Sequence, residues 1–293
     1  MLFRSGIEPM PLVNGFDLIK IIKDRHVVAG AFNTTNLETT MGILRAVEKS
    51  GIPSFIQIAQ TNIPVSGYGF IKDMVNRFAK QMDTPIALHL DHGKTFDSVR
   101  QAARAGFTSV MTDNAKYDYE ENIQHTYEAV QFARGYGIPV EAELGAIAGK
   151  EDDDVTEGHN KTNPEQVVDF VERTGVDLLA VAVGNVHGLN LDPNIDFPLL
   201  EKIHAICPVP LVLHGASGIP DEQIAQMVDN GVVKINVASD LRRAFIQSAG
   251  QDYQKDPERF DLVNVSLDAE KAIEDVVYHK ICVMNSNSPT AVR

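Results

Sequence analysis

The stretch Pro85–Gly93, P-I-A-L-H-L-D-H-G, starts as a short apolar run and ends in Asp91, His92 and Gly93. An apolar run of this length behind a proline reads as a buried β-strand, and the polar end followed by glycine reads as its exit. Further apolar, β-branched-rich runs that read as strands are His26–Asn33, Pro53–Ala59, Ser109–Asp113, Val140–Gly145, Leu178–Val183, Leu211–His214 and Lys234–Ala238. Amphipathic patterns such as Leu37–Lys49, Glu120–Tyr136, Pro164–Thr174 and Asp221–Asn230 lie between these runs. Strands alternating with helices predict a parallel sheet, and eight such units predict a closed (β/α)8 TIM barrel of the α/β class. A doubly wound open sheet is the rival, but it has fewer strands, and no G-x-G-x-x-G turn follows the first strand.

At 293 residues and 44% hydrophobic content the chain suits one barrel domain spanning 1–293, with a helical extension after about Leu241. The net charge of −14 argues against a nucleic-acid partner. It leaves room for a phosphorylated substrate, because backbone N–H groups at helix N-termini hold phosphate locally. No apolar run is long enough to cross a bilayer, and Met1–Gly15 lacks a signal-peptide layout, so no membrane partner and a cytoplasmic location are expected. Cys207 and Cys282 are too few and too far apart for a disulfide framework or a thiolate metal cluster.

Barrel active sites form at the C-terminal strand ends, so the polar residues there carry weight. They are Asn33, Asp91, His92, Asp113, Glu141, Glu143, Asn185, His187, His214 and Asn236. His92, His187 and His214 each stand at a strand end directly before a glycine. Three neutral imidazoles hold zinc and leave a position for substrate, the pattern of a catalytic metal site. Asp91, beside His92, suits general acid–base work; the alternative is a carboxylate that orients a ligand histidine. Asp113 and Glu143 either bind a second cation or orient the site. His89 lies deeper on its strand and reads as a core or supporting histidine. His26, His125, His159, His204 and His279 have no such context and read as surface residues. Gly188 and the run Gly215-Ala216-Ser217-Gly218 are small residues at strand-to-helix turns, where backbone N–H groups can approach an anion. The segment from Ala146 to Asn163 is a long loop after strand five, the position of a lid in many barrels.

Together the segments H-L-D-H-G, S-V-M-T-D followed by E-E-N, V-E-A-E-L-G, G-N-V-H-G, L-H-G-A-S-G and K-I-N-V-A-S resemble the class II, metal-dependent ketose-bisphosphate aldolases, the fructose- and tagatose-bisphosphate aldolase family. The resemblance covers about Pro11 to Arg243. It implies that His92, His187 and His214 hold a catalytic zinc, which stabilises the enediolate of dihydroxyacetone phosphate as a Lewis acid. It implies that Asp91 handles the hydroxyl proton and that Glu151, on the loop after strand five, handles the proton next to the carbonyl. Asp113 and Glu143 match residues that bind a second metal in some members. Gly188, Gly215, Ala216, Ser217, Asn236 and Ser239 match positions around the phosphate, and Asn33 a substrate-contacting asparagine. A monovalent cation and a homo-oligomer, dimer or tetramer, whose tail reaches a neighbouring site, belong to the same expectation.

Three departures concern the substrate. Asn114-Ala115 stands where the family has Gly-Ser or Ala-Ser, and Ala59 stands where strand two commonly carries serine. In the tail, Asp261-Leu262-Val263 replaces D-P-R, and Glu270 stands in place of a second arginine, with Arg259 close but out of register. Loss of an arginine fork weakens a distal phosphate site. The expected reaction is therefore reversible cleavage of a ketose 1-phosphate or 1,6-bisphosphate, with an acceptor aldehyde that needs no phosphate. The competing readings are a metal-dependent sugar-phosphate epimerase, or hydrolase, on the same barrel and a non-catalytic sugar-phosphate-binding relative.

Overall fold

A computed structural model of the chain describes residues 11–151, 154–156, 160–189, 193–258, 260–286 and 288, with the side chains of 150, 151 and 154–156 left aside. The elements run α1 Gly15–Arg25, β1 Ala29–Asn33, α2 Leu37–Ser50, β2 Ser54–Ala59, α3 Ile63–Ala79, β3 Ile86–Gly93, α4 Phe96–Ala105, β4 Ser109–Thr112, α5 Tyr119–Arg134 and β5 Val140–Leu144. They continue with β6 Gly149–Glu151, β7 Asp154–Thr156, α6 Pro164–Thr174, β8 Leu178–Val181, α7 Phe197–Ile206, β9 Leu211–Leu213, α8 Asp221–Asp229, β10 Val232–Val237, α9 Ser239–Lys255 and α10 Leu262–Met284. Eight parallel strands close in the order β1-β10-β9-β8-β5-β4-β3-β2, so the predicted TIM barrel is the observed fold.

The strand edges shift for local reasons. The run from His26 begins as a strand only at Ala29, because α1 extends to Arg25 and His26 caps it in the left-handed region (φ 53°). Helix α1 is not marked by the sequence pattern. Its cap Asn14 binds the Phe16 N–H, and Leu18 and Ile22 are buried. The Gly15 N–H bonds Thr108 O and Asn14 Nδ2 bonds Gly137 O, which lays α1 across the N-terminal strand ends. Ile19 then packs against Leu178, Ala180 and Val212, closing the floor of the barrel with apolar side chains. The polar residues are left to the opposite, C-terminal mouth.

The expected long loop after β5 contains the antiparallel pair β6–β7. The tail folds as α9 and α10, and α10 lies along α2: Ser266 Oγ donates to Glu38, Arg45 pairs with Glu270, and the Lys49 ammonium sits over the Tyr278 ring. Among the described residues, no helix is long and apolar enough to cross a membrane.

Candidate metal centre

His92 closes β3 with φ 46°, and the pairing register of β3 with β4 breaks between Leu90 and Gly93. A left-handed histidine is uncommon and costs about 1 kcal/mol, so surrounding contacts must hold it there. The break lets neighbouring residues serve different sides of the mouth, Asp91 towards β1 and β10, His92 towards β4 and β9. His214 follows β9 directly and is wholly buried. His187 lies in the loop after β8, where its N–H donates to Ala148 O at 2.8 Å and its backbone bridges Gly149.

That bridge explains Gly149. Its φ is +122°, and a Cβ there would fall 2.2 Å from the His187 carbonyl oxygen. Gly149→Ala is expected to push His187 out of place and lower metal affinity by about 10- to 100-fold, the loss typical of a disturbed ligand support. Chelator competition on the folded variant would measure it; unchanged affinity would show that the bridge does not hold His187.

Donor atoms of His92, Glu143, His187 and His214 all lie within 4.8 Å of one another. His92 Nε2 and His214 Nδ1 stand only 2.9 Å apart. The other nitrogen of each ring faces a carboxylate: His92 Nδ1 lies 2.8 Å from Asp113 Oδ2, and His214 Nε2 lies 2.7 Å from Glu141 Oε1. An ionised carboxylate only accepts, so the outer nitrogens carry the ring hydrogens. With both rings neutral, their inner lone pairs face each other, an arrangement that a cation between them resolves. The donor set therefore fits a metal, with both rings fixed in the required tautomer.

The electrostatics agree. Burial pushes the His214 imidazole below the ordinary histidine range, against the pull of Glu141. Burial raises the Asp113 carboxyl, but the hydrogen bond and charge of His92 outweigh it and hold the acid at about 2. Asp113 contacts the His92 ring, the geometry of an orienting carboxylate. Glu143 instead lies among the donor atoms themselves.

Glu141 and Lys234, beneath the centre, carry no role in the sequence reading. Glu141 and Glu143 alternate on β5 and both turn inward. Glu141 Oε1 meets His214, and its Oε2 lies 2.9 Å from Lys234 Nζ. Both Glu141 and Lys234 are fully buried. Burial raises the Glu141 carboxyl, but Lys234 and the His214 hydrogen bond pull it well below its ordinary value. The period-2 pattern of V-E-A-E-L was the signal for Glu141. Lys234 gave none beyond being a charge in a strand. His89 fits its core reading: its Nδ1 pairs with Ser109 Oγ at 2.8 Å and its ring stands edge-on to Phe55. Burial and Lys234 keep it neutral.

Asp91 is wholly buried and clamped by two carboxamides. Asn33 Nδ2 donates to Oδ2 at 2.8 Å, and Asn236 Nδ2 donates to Oδ1 at 3.0 Å. Gln57 Nε2 in turn donates to Asn33 Oδ1 at 2.8 Å. Asp91 is thus bonded to amides, and no hydrogen bond from it to His92, His187 or His214 is found among the described residues. Asn33 and Asn236, expected around substrate and phosphate, meet at this carboxylate. The side chain of Glu151 lies outside the described residues, as do His159 and Arg259; the Glu151 backbone ends β6.

The small residues after β8 and β9 bring backbone close together. Gly188 has φ +87° and Gly215 φ +66°, and a Cβ on Gly215 would fall 2.1 Å from Val186 O. Ala216 and Ser217 are buried, and Ser217 Oγ accepts from the Asp240 N–H at 3.2 Å beside Ser239, the first residue of α9. Asn114 turns away from the mouth, donating to Thr112 and Thr126, so this departure serves packing. His26, His125, His204 and His279 are exposed, as expected.

A family model described as fructose-bisphosphate aldolase class-II matches residues 13–288. The chain belongs to the class II fructose-bisphosphate aldolase family. Its relatives include the fructose-bisphosphate aldolase of Geobacillus stearothermophilus, 36% identical over 96% of this chain and 100% of that one. The probable fructose-bisphosphate aldolase of Bacillus subtilis is 35% identical over 95% and 99% of the two chains. Among solved structures, the YdjI aldolase from Escherichia coli K12 is 33% identical, with a TM-score of 0.82 over 94% of this chain and 98% of that one. The chain is accordingly an enzyme, a class II aldolase, and the family is metal-dependent, in keeping with the donor cluster at the barrel mouth.

Proposed function

We propose that this class II aldolase cleaves a ketose 1-phosphate to dihydroxyacetone phosphate and an aldehyde that carries no terminal phosphate, with a 1,6-bisphosphate as the poorer substrate. The reading of zinc on His92, His187 and His214 rests on one observation: donor atoms of all three rings converge within 4.8 Å, with the His92 and His214 nitrogens face to face and carboxylates against their far sides. Glu143 is close enough to join them. When bound, zinc supplies Lewis acidity to the carbonyl and hydroxyl oxygens of the substrate.

The remaining steps belong to the chain's own groups. Asp91, steered by the amides of Asn33 and Asn236, takes the proton from the C4 hydroxyl as the C3–C4 bond breaks and returns it in synthesis. Glu151, on the strand beside His187, supplies the proton to C3 in cleavage and removes it in the reverse direction. Backbone N–H groups around Gly188, Gly215, Ala216 and Ser217, together with Ser239 at the start of α9, hold the C1 phosphate. Asn33 and Asn236 serve the substrate through Asp91.

The tail supports the altered distal site. No arginine occurs between Phe260 and Met284. Val263 is exposed at the start of α10, and Glu270 is turned against α2 in an ion pair with Arg45. A phosphate arriving there would meet a valine and a carboxylate. Phe260, Leu262 and Val263 leave an exposed apolar surface at the α9–α10 junction, which supports the tail as a contact between copies of the chain.

The test is the specificity constant for dihydroxyacetone phosphate release from paired ketose 1-phosphates and 1,6-bisphosphates. The monophosphate is expected to lead by at least about tenfold, the worth of one lost charged contact. Equal rates, or preference for the bisphosphate, would remove the altered site from the account.

A further inference from the structure

We propose that Lys234 is a positioning residue: its buried ammonium sets the direction of the Asn236 amide, and through it the aim of Asp91, while also holding the carboxylate that orients His214. A wholly buried ammonium is costly unless it is paired with a counter-charge and hydrogen-bonded. Lys234 Nζ lies 2.7 Å from Asn236 Oδ1 and 2.9 Å from Glu141 Oε2. An ammonium has donors only, so the carbonyl side of the Asn236 carboxamide must face it. The amide nitrogen is thereby turned to Asp91 Oδ1, 3.0 Å away. A flipped carboxamide would set donors against donors at Lys234 and acceptors against acceptors at Asp91. On its other side, Lys234 binds one oxygen of Glu141 and leaves the second for His214 Nε2 at 2.7 Å.

The strand pattern makes this arrangement. Lys234 and Asn236 are two apart on β10, so both side chains point into the barrel. Asn236 pairs with Ala31 on β1, and β3, which carries Asp91, lies across the interior. One charge at the centre thus sets two arms that arise on different strands. The consequence for catalysis rests on the proton-transfer role given to Asp91 above.

The test replaces the charged pair with a neutral one, Lys234→Met together with Glu141→Gln, so that neither buried charge is stranded. With saturating zinc, two reactions are compared: cleavage of the ketose phosphate, and exchange of the dihydroxyacetone phosphate C3 hydrogen with deuterated water. Both need the metal, but only cleavage needs Asp91. The ratio of cleavage to exchange is expected to fall at least about tenfold, in line with the loss from a misplaced catalytic group. A crystal structure of the variant should show the Asn236 amide turned from Asp91. Asn236→Ala, which spares the Lys234–Glu141 pair, should lower the same ratio and serves if the double variant does not fold.

An unchanged ratio in either variant, or an Asn236 amide still on Asp91 without the ammonium, would overturn the proposal. Asp91→Asn is the reference. If it lowers both reactions alike, the role given to Asp91 falls, and the Asn236 orientation alone then decides whether Lys234 sets it.

Discussion

His214→Ala is expected to lose tightly bound metal and to lower aldol cleavage by at least roughly 10,000-fold, equivalent to about 5.5 kcal/mol of barrier. No neighbour can take its place, because His214 is wholly buried between His92 and Glu141. The substitution removes one donor and leaves Glu141 Oε1 without its ring partner, while Oε2 still faces Lys234 Nζ and His89 Nε2. Asp113→Ala should be milder, about 10- to 100-fold, since it frees the His92 ring without removing a donor. Metal content after gel filtration and cleavage at saturating zinc are the readouts, with circular dichroism to establish folding. A folded His214→Ala protein with stoichiometric metal and activity within tenfold of the parent would refute the assigned ligand set.

Asp91→Asn is expected to lower cleavage by about 100- to 10,000-fold while leaving metal content and hydrogen exchange of dihydroxyacetone phosphate largely intact. The substitution preserves shape but not function, since asparagine cannot serve as the base at neutral pH. It also introduces a donor between two donors, because Asp91 accepts from both Asn33 and Asn236. One of those contacts must break, at a cost of about 1–3 kcal/mol in stability. Thermal melts and the two kinetic assays separate the effects. Parallel loss of cleavage and exchange would mean that Asp91 supports the fold of the site without moving the proton.

The barrel was legible because each buried strand writes its own apolar run, and most are followed by polar residues at one rim. Helix α1 was not, since its apolar residues Leu18, Ile19 and Ile22 run into the first strand, and only the left-handed His26 separates the two. The pair β6–β7 hid in an acidic stretch with few apolar residues to mark strands.

At the site, the histidines could be read individually, each directly before a glycine, although His187 stands in the loop beyond β8 and not at its strand end. Their supports could not. Glu141, Lys234 and His214 sit on or beside β5, β10 and β9, and which of these face one another across the interior depends on barrel closure. The same holds for Asn33 and Asn236: residue type and strand position made them polar site residues, but their convergence on Asp91 needed the three-dimensional arrangement. Glu270 shows the reverse case, a sequence position that pointed to the distal site and whose carboxylate the fold commits to Arg45.

The first measurement is a coupled assay for dihydroxyacetone phosphate release from a panel of ketose 1-phosphates and 1,6-bisphosphates, run on zinc-loaded, chelated and zinc-restored protein. The account predicts cleavage that disappears on chelation and returns with zinc. Release that survives complete removal of the metal, or no release from any substrate by protein with zinc bound, would contradict it.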